Sequence, residues 1–125
     1  MARKKSPTLT DAELQVIRTV WRLGSATVRE VVEAQDREPP LSYSSVATIL
    51  RILDEKGHLR HEPEGRSFRY HPILDEQQAA QDAVRFVVSR FFRNSPKLLV
   101  MNVLESEGIE QDELERLEQL IEAST

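Results

Sequence analysis

The 125-residue sequence contains no cysteine. That absence removes disulfides, thiol catalysis and every thiolate metal site at once. The sequence also lacks any run approaching the ~18 consecutive apolar residues of a membrane span. The basic start Arg3-Lys4-Lys5 leads into polar residues rather than into the apolar stretch of a signal peptide. A cytoplasmic chain with no membrane insertion is therefore expected. No Ser/His/Asp set, paired-carboxylate site or Gly-rich phosphate loop is present, so neither an enzyme nor a cofactor is expected. Three histidines, His58, His61 and His71, remain as possible ligands. His58 and His61 lie three apart on a predicted strand and point to opposite faces, which is poor ligand geometry, and no metal site is expected.

Positive charge is also scarce. The net charge is −4, which argues at first against a nucleic-acid partner. Its distribution says otherwise. Residues 1–72 carry 12 Lys/Arg against 10 Asp/Glu, a net of +2, whereas residues 73–125 carry 5 against 11, a net of −6. Two halves of opposite sign suggest two jobs, with phosphate contacts assigned to the first.

Residues 1–8 are basic and polar and are expected to form a disordered arm. Leu9-Thr10-Asp11-Ala12-Glu13-Leu14 is a helix start: Thr10 as N-cap, Glu13 completing a capping box, Leu9 and Leu14 at the staple positions. Leu14, Ile17, Val20 and Trp21 follow at helical spacing, and Gly24 ends the helix. Thr27 and Glu30 repeat the box for a second helix running to about Asp36, before Pro39-Pro40. Ser42 caps a third, whose apolar face is Val46, Ile49, Leu50 and Leu53 and whose end is Lys56-Gly57. Two stretches of strand character, His58 to Glu62 and Ser67 to His71, flank a turn at Pro63-Glu64-Gly65-Arg66 and predict a hairpin. Leu14, Ile17, Val20, Trp21, Val31, Val46, Ile49, Leu50, Leu53 and Phe68 are the expected core.

Three capped helices and a hairpin are the order of a winged helix-turn-helix domain, here expected over residues 9–73. Residues 74–125 predict three further helices. Asp75 caps the first, Ser95-Pro96 opens the second, and Leu114, Leu117, Leu120 and Ile121 line the third. The expected fold class is thus mainly α with a small β-hairpin wing, followed by a C-terminal helical dimerisation segment. Phe86, Phe91, Phe92, Leu99, Val103, Leu114, Leu117 and Ile121 form apolar stripes too thin to bury themselves. They are expected to pack on a second copy as a homodimer, since readers of this type commonly pair two half-sites; packing on the first domain is the alternative.

The candidate site is the third helix. At 100° per residue from Val46, Ile49, Leu50 and Leu53 fall within roughly 60° of the core direction. Ser44, Thr48, Arg51 and Glu55 fall near the opposite side. Small hydroxyl-bearing side chains let a helix backbone approach base edges closely and can donate or accept there. Tyr43 and Ser45 flank this face at the helix N-terminus, where the dipole favours a phosphate. The hairpin adds Arg60, Arg66 and Arg69 as candidate phosphate contacts. These eight residues are the expected double-stranded-DNA surface. A different use of the same fold stays open, in which the third helix binds a protein; the acidic overall balance favours it, and steep salt dependence would argue for DNA.

The sequence resembles the penicillinase-repressor (BlaI/MecI/CopY) family from Leu9 to about Ala123. The resemblance is carried by Leu9-Thr10-Asp11-Ala12-Glu13 with Val20-Trp21, and by Tyr43-Ser44-Ser45-Val46-Ala47-Thr48-Ile49-Leu50 ending in Glu55-Lys56-Gly57. Phe68-Arg69-Tyr70-His71-Pro72 and Leu99-Val100-Met101-Asn102 complete it. It implies a homodimeric repressor of a palindromic operator. It also implies, for the beta-lactam branch, a membrane sensor protease that relieves repression by cutting after an asparagine. The matching bond here is Asn102-Val103, with valine where the family usually has phenylalanine. The copper branch carries C-terminal cysteines, and this chain has none.

Overall fold

The structure, a computed structural model, describes residues 8–123; the side chain of Ile121 and all but the last residue of the basic arm expected at residues 1–8 lie outside the described residues. Its contacts divide the chain into two compact units between Val84 and Arg85.

In the first unit, helix α1 (Asp11–Leu23) begins with the expected capping box. The Glu13 amide donates to Thr10 Oγ1 at 3.2 Å, and the Thr10 amide donates to Glu13 Oε1 at 2.8 Å. Gly24, at φ 88°, ends the helix by donating its N–H to the Val20 carbonyl. A two-residue strand β1 (Ala26–Thr27) follows. Helix α2 (Val28–Glu33) opens on the same box, built from Thr27 and Glu30. It stops at Ala34, short of the expected Asp36. The Gln35 side chain then bridges forward, accepting from the Leu41 amide at 2.8 Å and donating to the Leu41 carbonyl at 3.0 Å. Helix α3 (Tyr43–Glu55) keeps its expected bounds, capped by Ser42 and closed by Lys56.

Strands β2 (Leu59–Glu64) and β3 (Ser67–Pro72) form the hairpin, and β1 pairs with β3 to give a three-stranded antiparallel sheet in the order β1-β3-β2. Two expectations are corrected here. The turn is Gly65-Arg66 alone, since Glu64 pairs with Ser67; Gly65 takes φ 61°, as a two-residue hairpin demands. The third strand, β1, was not expected, because two residues carry no period that a sequence can display.

The core joins Val16, Ile17, Val20, Val31, Val46, Leu50, Leu53, Leu59 and Tyr70. Leu14, Trp21 and Ile49 pack against it, half-buried. Phe68, expected in the core, is instead 46% exposed, while Tyr70 is 8% exposed. Phe68 pairs with Pro63 near the hairpin tip, and Tyr70 pairs with Ala26 over the core. The Trp21 indole N–H donates to the Leu74 carbonyl at 2.7 Å, tying α1 to the segment after the hairpin. Helix, helix, helix and hairpin make this a winged helix-turn-helix, with the hairpin as wing.

Helix α4 (Glu76–Phe91) is capped by Asp75, whose carboxylate accepts from the Gln78 amide, and it runs across the division between the units. In the second unit, Arg93 and Asn94 take positive φ and turn the chain into α5 (Pro96–Ser106), capped by Ser95. Helix α6 (Gln111–Ala123) follows. Among the described residues beyond Tyr70, Val88 is the one buried apolar side chain.

Candidate nucleic-acid interface

Helix α3 has two chemically distinct sides. Val46, Leu50 and Leu53 are fully buried against α1 and α2, which orients the helix about its own axis. Tyr43, Ser44, Ser45, Thr48 and Arg51 are therefore carried to the outside, and all five are exposed. At the first turn, Ser42 Oγ accepts from the Ser45 amide at 3.2 Å and lies 3.0 Å from Ser45 Oγ and 3.3 Å from Ser44 Oγ. Three hydroxyls thus converge at the helix N-terminus, where backbone N–H groups and the dipole favour a negative group.

The wing extends from this helix as a separate arm. Arg66 occupies the turn and is exposed; Arg60 stands on β2, 3.8 Å from Glu62, with both side chains more than half exposed. Such a loose surface pair contributes little and leaves the guanidinium available. Arg69 is placed differently. Its guanidinium donates to Glu64 at 2.8 and 3.0 Å, lies 2.9 Å from Glu30 Oε1, and donates to Ser25 Oγ at 3.2 Å. The side chain is 23% exposed. Hydrogen bonds from Arg69 hold the Glu64 carboxyl below its ordinary value. The Thr27 amide, and after it Arg69, does the same for Glu30; the two carboxylates in turn push the guanidinium upward. Arg69 thus joins the wing to the capping box of α2, while Arg60 and Arg66 face outward.

His61 completes the junction. It hydrogen-bonds through Nδ1 to the Asp54 carboxylate of α3, and its ring meets Phe68 edge-on, 5.0 Å between centroids. His71 bonds Glu62 across the sheet at 2.7 Å. The roles of Glu30, Asp54 and Glu64 in positioning the wing were not anticipated. Counting back from a two-residue turn would have set Glu64 diagonal to Arg69, within reach of long side chains; the Glu30 and Asp54 contacts join distant elements and had no local signal. Among the described residues, no group of three His, Asp or Glu is placed to hold a metal ion, and no helix is long and apolar enough to cross a membrane.

In the second unit the expected dimer residues are spread along all three helices. Phe86, Phe92, Leu99 and Leu114 are half-buried, Val103 and Leu117 are exposed, and Phe91 is 70% exposed. Asn102 and Val103 both lie within α5 and are exposed.

A family model described as "Penicillinase repressor" matches residues 9–123. The penicillinase repressor of Bacillus licheniformis is 32% identical over 119 residues, covering 95% of this chain and 93% of that protein. The methicillin resistance regulatory protein MecI of Staphylococcus aureus is 21% identical over 117 residues, covering 94% and 95% respectively. A solution structure of the DNA binding domain of the repressor BlaI superposes with a TM-score of 0.51 at 37% identity, over 61% of this chain and 93% of that one. On a match that runs from the first capping box to the end of α6, the chain belongs to the penicillinase repressor family.

Proposed function

We propose that this chain, a DNA-binding transcriptional repressor by family, grips a palindromic operator as a homodimer, with α3 of each copy in the major groove. The observation that carries this reading is the two-sided burial of α3. Val46, Leu50 and Leu53 on its apolar side are fully enclosed, while Tyr43, Ser44, Ser45, Thr48 and Arg51 stand exposed together. Ser44, Thr48 and Arg51 are the candidates for base edges, and Tyr43 and Ser45 for the phosphate at the helix N-terminus. Arg60 and Arg66 contact phosphates from the wing. Arg69, first expected beside them, is engaged by Glu30 and Glu64 and sets the wing's angle instead.

Residues 9–73 form the reading domain and residues 74–125 the dimerisation domain in this proposal. The second unit's exposed apolar side chains, Phe91 among them, support a second copy as the covering surface. Repression ends when a membrane sensor protease cuts Asn102-Val103 within α5. Both residues are accessible, and the cut detaches α6. Footprinting the protein on the promoter region of its own gene tests the core of the reading. Protection of two half-sites on one face of the duplex, about one helical turn or a multiple apart, is the expected result. Uniform coating of the fragment, or protection of a single half-site, overturns it.

A further inference from the structure

Between α1 and the connection at residues 34–41 lies a crevice of about 280 Å³ that none of the DNA contacts above employs. Its floor holds the buried side chains of Val16, Thr19 and Val31. Its rim is basic: Arg18, Arg22 and Arg37 surround the opening, with Asp36 as its one acid. Arg22 is paired with Asp36 at 2.7 Å, and Arg37 donates to Gln15 Oε1 at 2.9 Å and to the Pro39 carbonyl at 3.2 Å. These bonds strap the connection to α1. Arg18 takes no part in the strap; it makes no hydrogen bond or ion pair among the described residues. A third guanidinium on the same rim leaves the crevice with two positive charges in excess.

We propose that this crevice binds a small dianion, a dicarboxylate or a phosphate ester, and that its occupation weakens operator binding. A guanidinium fork matches carboxylate and phosphate oxygens in pairs, and three forks around one concavity suit a ligand with two anionic charges. The crevice, about 280 Å³, has room for a small metabolite-sized anion. Such a ligand takes Arg18 and competes with both Asp36 and the Ala34 carbonyl for Arg22, loosening one end of the strap. The consequence reaches α3 through Gln35, which lines the crevice and holds both the amide and the carbonyl of Leu41. Leu41 is followed by Ser42, the cap of α3, and then by the first residues of the DNA-facing side. Displacing the connection therefore displaces the turn that carries Tyr43, Ser44 and Ser45. Anion binding stands on the crevice alone; its effect on repression rests on the reading of α3 as the DNA-facing helix.

The test uses the full chain, with glutarate and inorganic phosphate as probes, each against sodium chloride at equal ionic strength. Equal ionic strength separates a site from the general salt weakening of DNA binding. Saturable amide NMR shifts at residues 15–22 and 34–41 are expected from at least one probe. A response to glutarate alone identifies a dicarboxylate, and one to phosphate alone a phosphate ester. At saturation the operator dissociation constant is expected to rise roughly 5-fold or more, and operator DNA to weaken the anion by the same factor. Arg18→Gln should abolish both responses and leave operator affinity without anion unchanged. No shifts beyond those of chloride from either probe, or an Arg18→Gln variant that responds like the parent, overturns the site. Saturable binding with unaltered operator affinity overturns the regulation. A chain that shifts with anion yet never binds operator refutes the DNA reading and leaves the site standing.

Discussion

Lys56, which closes helix α3, places its ammonium 2.7 Å from the carboxylate of Glu13, which caps the start of α1. Glu13 is 4% exposed and also receives the Thr10 amide. One enclosed ion pair therefore joins the beginning of the first helix to the end of the third. Lys56→Met is expected to cost about 3–5 kcal/mol, because it strands a buried carboxylate. Adding Glu13→Leu should recover most of the loss, short of the ~1 kcal/mol of the hydrogen bond that the Glu13 carboxylate accepts from the Thr10 amide. Urea unfolding of the two variants measures both; equal stability of Lys56→Met and the parent would refute the pair's role.

The same carboxylate gives stability a pH dependence. Burial pushes the Glu13 carboxyl up, but hydrogen bonds from Lys56 and from the Thr10 amide outweigh it and hold the group below its ordinary value near 4.5. Glu30 and Glu64 are lowered too. A carboxyl with a depressed folded pKa binds protons more readily when the chain unfolds, so its contribution is present above about pH 4.5 and lost as pH falls through the folded value. The urea midpoint should be level near neutrality and drop steadily below about pH 4.5. A midpoint that rises on acidification contradicts the assignment.

For the reading helix, Thr48→Ala and Ser44→Ala are each expected to weaken specific operator binding by about 1–3 kcal/mol where a base contact is lost. Binding to random DNA should change little, because phosphate contacts remain. Competition titrations with both DNAs decide the matter, and equal losses on each would exclude base reading by these hydroxyls.

The wing arginines separate into two behaviours. Arg60→Gln and Arg66→Gln should each lower affinity for all sequences and reduce the salt slope by roughly one unit, one phosphate contact each. Arg69→Gln should lower affinity with the slope unaltered, since its charge is spent on Glu30 and Glu64. Gel shifts over a salt series distinguish them; a slope reduced by Arg69→Gln would return that residue to the phosphate contacts.

Truncation tests the division of labour. A fragment of residues 1–84 keeps the Leu74 carbonyl that receives Trp21, and it should fold as a monomer. It should bind a full operator ~10²–10⁴-fold more weakly than the full chain, because without the proposed dimer the second half-site contact is no longer intramolecular. Cleavage at Asn102-Val103 should have a similar effect. Sedimentation with operator titration checks both, and a monomeric full-length chain would refute the scheme.

What could be read from the sequence follows the range of the interactions. The caps at Thr10, Thr27, Ser42 and Ser95 depend on partners three residues away, and all four stand where local chemistry puts them. The outward face of α3 was legible because helical period alone turns Val46 and Leu50 inward. The failures were long-range. Phe68 and Tyr70 share a strand face, and only the position of the helices beneath decides which of them is covered. The pairing of Arg69 with Glu30 had no local signal, because the two lie 39 residues apart in the chain. Glu13 and Lys56, 43 residues apart, each had an adequate local role as cap and as helix end, so nothing announced that they meet.

The chain has a single tryptophan, and its indole N–H is bound to the Leu74 carbonyl just past the wing. Intrinsic fluorescence is therefore a built-in, label-free gauge of that docking. Emission from Trp21 should move to the red when the segment after β3 lifts off α1 and water replaces the carbonyl. The first unit thus carries its own spectroscopic marker at the point where the chain leaves the wing for α4.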